Sequence, residues 1–133
     1  KKIDLIICSP LTRTKHTMEI ININNIPVIY DNRIMERDCG EFTGKPFDSL
    51  DRDLYWNYYD KTNYEKAESI EVFFKRVYDF LDEIKMKYKD SNILLVTHGG
   101  VSKAINCYFN GVPKDGNLQV LEIGNCEVKE YNI

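Results

Sequence analysis

The chain has 133 residues, 18 basic against 21 acidic side chains and a formal charge of −3, so it is sized for one domain with a core and lacks the basic excess of a general nucleic-acid binder. Apolar residues make up 43%, yet no run approaches the roughly 18 that would span a bilayer, which sets aside disorder and a membrane partner. Lys1-Lys2 leads into a strand-like run rather than a signal peptide, and Cys8, Cys39, Cys107 and Cys126 lie far apart in different segments, so the expectation is a reduced, cytoplasmic protein.

In chain order, Ile3 to Cys8 is a mostly apolar run closed by Ser9-Pro10 and predicts a buried strand. Leu11 to Asn22 predicts a helix, with Pro10 where a first turn tolerates it and Leu11, Met18 and Ile21 near one face. Val28 to Tyr30 is a short second strand. From Glu36 to about Lys66 the pattern is irregular and aromatic, marked by Gly40, Gly44 and Pro46, with a short helix around Leu50 to Tyr59. Ser69 caps a strong amphipathic helix in which Ile70, Phe73, Val77, Leu81, Ile84 and Tyr88 recur every three or four residues. Ile93 to Thr97 predicts a buried strand, His98-Gly99-Gly100 a tight turn, and Val101 to Phe109 a helix. Leu118 to Ile123 and Cys126 to Tyr131 alternate in period two around Gly124-Asn125 and predict a hairpin. Residues 1–133 therefore read as a single α/β domain with a mixed sheet and no linker or repeat.

Several motifs fail on spacing. Cys8 and Arg13 are one residue too close for a cysteine-phosphatase loop, and Gly40 to Lys45 is one residue short of a P-loop, with Pro46 where a magnesium-binding hydroxyl belongs. With two histidines and no Cys-x-x-Cys or His-Glu-x-x-His, no metal site or cofactor is expected.

Ligands in open α/β sheets gather beyond the carboxyl ends of strands, which draws attention to two turns. Ser9-Pro10-Leu11-Thr12-Arg13 brings a guanidinium into a first helical turn, and its planar fork suits phosphate oxygens. His98-Gly99-Gly100 offers an imidazolium, close backbone approach at Gly99 and helix N–H groups to the same anion. Glu36, opening the irregular segment, is a candidate proton donor to a leaving-group oxygen. Arg37, Tyr55 and Trp56 are candidate substrate contacts, and Tyr58 and Tyr59 could join the latter two as a lid or pack as an aromatic cap. Glu68 and Ser69 read as a helix start, Arg76 as an ion-pair partner, and His16 as an ordinary exposed side chain.

Four of these pieces, in order over residues 9 to 100, resemble the histidine phosphatase superfamily, the phosphoglycerate mutase-like family. They are Ser9-Pro10-Leu11-Thr12-Arg13 with Thr17, Glu36-Arg37 with Gly40 and Gly44, Glu68-Ser69 with Arg76, and Thr97-His98-Gly99-Gly100. The resemblance implies a three-layer fold, a mostly parallel sheet with helices on both faces, and a metal-independent phosphomonoesterase acting on a small phosphorylated metabolite through a phosphohistidine. It assigns phosphate binding to Arg13, His98 and Gly99, with His98 and Glu36 catalytic. The family's Arg-His-Gly motif, whose histidine is the nucleophile, does not occur here. The expectation is an N-terminally truncated domain missing its first strand, inactive as written, with unpaired strand edges or a groove beside the Ile3 to Cys8 strand and self-association through an unpaired sheet edge. A phosphoglycerate-type mutase is the alternative enzyme, disfavoured by the short Lys45 to Ala67 stretch. A non-catalytic phosphate-binding or scaffold domain is the alternative outside catalysis.

Overall fold

Three short apolar runs become three parallel strands, β1 (Leu5–Cys8), β2 (Val28–Tyr30) and β3 (Ile93–Val96), in the order β2-β1-β3. The computed structural model describes residues 2–40, 52–60, 62 and 66–133. Registers are aligned across the sheet, Ile6 lying opposite both Val28 and Leu94. Of the two alternatives expected, unpaired edges or a groove beside β1, the groove is not formed, because β1 is paired on both sides. Among the described strands the open edges belong to β2 and β3.

Alternation along β1 divides the core between the two sheet faces. Ile6 and Cys8 pack with Met18 and Val96 beneath α1 (Thr12–Ile21), while Ile7 joins the larger cluster built on the helices of the opposite face. That makes three layers, with helices on both sides of a parallel sheet. On α1, Met18 is buried but Ile21 is exposed, so the apolar stripe expected there is narrower than the sequence suggests.

The opposite layer rests on α3 (Ile70–Lys87), whose N-cap Ser69 accepts a hydrogen bond from the Val72 N–H at 3.1 Å. Glu71 in its first turn and Lys85 and Lys87 in its last complement the helix dipole. Phe73, Val77, Phe80 and Leu81 are essentially fully buried, each contributing roughly 1.5–3 kcal/mol of hydrophobic stabilisation. They meet α4 (Gly99–Asn110), which begins at His98 itself, so Gly99 and Gly100 form its first turn rather than a separate turn before it. Within the predicted Leu50 to Tyr59 helix, α2 covers Arg52–Tyr55. Leu50, Gly44, Lys45 and Pro46 lie outside the described residues.

The predicted C-terminal hairpin is not formed. Leu118–Leu121 is a 3-10 turn capped by the Asn117 side chain, which accepts from the Gln119 N–H at 3.1 Å. Buried Leu118 instead donates its N–H to the Trp56 carbonyl, and Asn57 and Asn117 form a lone antiparallel bridge. Side chains from Gly124 to Glu130 face solvent, so the alternation there has no second surface to bury against.

Candidate active site

At the end of β1, Ser9 is held on three sides. Its N–H donates to the Val96 carbonyl at 2.9 Å, its carbonyl accepts from the Thr14 hydroxyl at 2.9 Å, and its own oxygen accepts the Leu11 N–H at 3.4 Å. The chain then enters α1 with Arg13 exposed in the first turn. Across the sheet, β3 ends at Thr97, whose hydroxyl donates to the Ile34 carbonyl at 2.7 Å, and at His98. His98 Nε2 lies 2.8 Å from Ser9 Oγ, both groups buried, and this contact ties the two turns together.

The His98 ring is pushed down to about 4 from its ordinary 6.5, first by burial and then by the positive charges of Arg13 and Arg76. It is therefore neutral at pH 7. The sequence suggested an imidazolium; the enclosure and two nearby guanidiniums disfavour that charge.

Glu36 reaches the start of α4, one carboxylate oxygen accepting from the Gly100 N–H at 3.1 Å and the other from the Arg37 N–H at 2.9 Å. Gly100 has to be glycine, because a Cβ would collide with the Glu36 carboxylate and come within 2.6 Å of Trp56. Gly99 faces open space. Of the two N–H groups the sequence offered to an anion, Gly100's is thus engaged by Glu36, and Gly99 stands at the open side.

Arg76 holds this segment from α3. It makes two hydrogen bonds to the Glu68 carboxylate, at 2.7 and 2.8 Å, and donates to the carbonyls of Arg33, Met35 and Glu36 at 2.7, 2.8 and 3.2 Å. A guanidinium has five N–H donors, and all five are spent. Arg76 is a clamp that fixes the backbone carrying Glu36.

The residues offered as substrate contacts are buried. Arg37 is buried, donates to the Glu68 and Tyr55 carbonyls, and stacks 3.7 Å from the Tyr55 ring centre. Tyr55 is 1% exposed and Trp56 8%, both within the main core. Tyr58 packs edge-on to Phe74, and only Tyr59 is largely exposed. This geometry makes Arg37, Tyr55 and Trp56 the wall behind Glu36, and of the two alternatives, lid or packed aromatic cap, it matches the cap. His16 is exposed on α1.

Ser9, Thr97 and Lys103 were not given roles by the sequence. Lys103 is buried on α4 with its ammonium 4.7 Å from the Trp56 ring, and burial pushes its pKa down. The family motif contains Ser9 and Thr97, but their bonds reach residues 89 and 63 positions away and leave no local signal.

Comparisons with known proteins identify the family and the fold. The family model described as histidine phosphatase superfamily (branch 1) matches residues 1–133. A relative from Hydrogenobacter thermophilus whose name classes it with phosphoserine phosphatases is 32% identical over the whole chain and 68% of its own length. The uncharacterized phosphatase PhoE of Bacillus subtilis is 28% identical over 98% of this chain and 70% of its own. Among solved structures, Bacillus stearothermophilus YhfR superposes with a TM-score of 0.74 at 24% identity, covering 86% of this chain and 60% of that one. The chain thus spans about two thirds of these relatives and three fifths of that structure.

Proposed function

The chain belongs to the histidine phosphatase superfamily, and from that premise we propose that Arg13, Glu36 and His98 form the phosphate-handling side of a phosphomonoester hydrolase for a small phosphorylated metabolite. What carries the reading is the meeting of the two strand ends, with His98 Nε2 2.8 Å from Ser9 Oγ and the Glu36 carboxylate on the Gly100 N–H at the head of the same helix. Arg13, exposed and in the field of His98, supplies the cation.

In this reading the chemistry is an in-line displacement at phosphorus that needs no metal. A histidine other than exposed His16 and the phosphate-binding His98 attacks, forming a P–N bond as the ester P–O bond breaks. Arg13 and the His98 ring hold the equatorial oxygens while charge spreads over them. Protonated Glu36 gives its proton to the departing alkoxide, and its carboxylate then takes one from the water that releases phosphate.

The test is p-nitrophenyl phosphate turnover by the chain extended ahead of Lys1 with an Arg-His-Gly strand. His98→Ala and Arg13→Ala should each lower kcat/KM by at least about 100-fold, the scale of one preorganised donor. A chelator should have no effect. Chelator-sensitive hydrolysis, or normal turnover in His98→Ala, would overturn the proposal.

A further inference from the structure

We propose that Ser9 is a positioning residue that sets the ring tautomer of His98: its hydroxyl donates to Nε2, so the ring proton sits on Nδ1 and Nδ1–H is what His98 offers an anion. The clause about the anion rests on the proposed function; the tautomer itself does not.

Three observations lead there. The Ser9 hydroxyl accepts the Leu11 N–H at 3.4 Å, and among the described residues the acceptor within hydrogen-bond distance of its one proton is His98 Nε2, 2.8 Å away. Ser9 is fully buried, and its backbone is pinned to Val96 and Thr14, so the oxygen stays where it is. His98 is the N-cap residue of α4 but makes no side-chain cap bond, so Nδ1 is not engaged by the helix N–H groups.

The charges facing the ring complete the argument. Arg13 approaches from α1 and Arg76 from α3, and together with burial they keep the ring neutral. A neutral imidazole has a single N–H. Were that proton on Nε2 and donated to Ser9, the other nitrogen would present a lone pair, which repels phosphate oxygens. With Ser9 as donor, the neutral ring becomes a hydrogen-bond donor toward the anion without the cost of a buried charge. The hydroxyl can also reverse and accept if the ring gains a proton, a freedom that a fixed donor lacks.

The experiment is long-range proton–nitrogen NMR on the 133-residue chain with nitrogen-15 in its two histidines, His16 serving as the exposed reference. At pH 7 His98 should be predominantly Nδ1–H. Ser9→Ala should reduce the Nδ1–H to Nε2–H ratio by about tenfold, the scale of one hydrogen bond, and Ser9→Thr should restore it. An Nε2–H ring or an even mixture in the unmodified chain overturns the proposal, as does a ratio unchanged in a folded Ser9→Ala. Should Ser9→Ala fail to fold, the unmodified chain and Ser9→Thr decide. Adding inorganic phosphate separates the two claims: an Nδ1–H ring whose signals ignore phosphate leaves the tautomer standing and defeats the phosphate-site reading.

Discussion

At the end of β1 the chain turns into α1 with Arg13 exposed in the first turn, whereas at the end of β3 it turns into α4 with His98 buried and a carboxylate from elsewhere, Glu36, on the Gly100 N–H. Both helices start directly after a parallel strand, and neither has a side-chain cap from its own N-cap residue. The difference lies in what the rest of the fold brings. The first turn is completed by its own neighbours, Ser9 and Thr14, and leaves its cation outward. The second is completed by the segment 33–37, which Arg76 and Thr97 hold in place. A site with an exposed cation on one side and a fixed carboxylate on the other follows from that asymmetry, with the Ser9–His98 bond as the bridge.

Cutting the clamp should have the largest effect on stability. Arg76→Leu strands the half-buried Glu68 carboxylate and three backbone carbonyls, and should cost roughly 3 kcal/mol in urea unfolding. It should also lower turnover in the extended protein by freeing Glu36, while the β1–α1 turn keeps its own hydrogen bonds.

Next in size is the effect of pH. In the unfolded chain His98 takes up a proton near 6.5, and in the fold it resists protonation until about 4. Its depressed pKa contributes stability that is fully present above 6.5 and lost as pH falls toward 4, up to about 3 kcal/mol by linkage. Thermal denaturation of the chain and of His98→Gln across that window should show a steeper acid loss in the unmodified chain.

The adjacent glycines give the smallest and sharpest contrast. Gly100→Ala pushes a methyl group into Glu36 and Trp56 and should destabilise by about 2 kcal/mol. Gly99→Ala meets open space in a helix and should stabilise by about 0.5–1 kcal/mol. Equal effects at the two positions would contradict the placement of Glu36.

The sheet, the helix on each face and the Ser69 cap were legible because periodicity and capping are local signals, as the Ile93 run and the Ile70-to-Tyr88 stripe show. Arg13 and Arg76 illustrate what is not local. They are the same residue type in motifs of similar strength, yet one is exposed and the other spends every donor on partners 8 to 43 residues away. The hairpin failed for a related reason. Period two predicts a strand only where a neighbouring edge and a surface to cover are present, and Leu118 finds its partner in the Trp56 carbonyl instead. Likewise, neutral His98 depends on burial and on cations from two other elements, which no spacing rule encodes.

The central claim is that the two strand ends share one anion, and titrating the 133-residue chain with inorganic phosphate tests it directly. The account predicts saturable shifts of the His98 ring and the Arg13 side-chain NMR signals with one common Kd, exposed His16 unmoved, and a pKa for His98 that rises as phosphate binds, since a nearby anion favours the charged ring. Independent affinities at Arg13 and His98, or a His98 titration curve indifferent to phosphate, would contradict it.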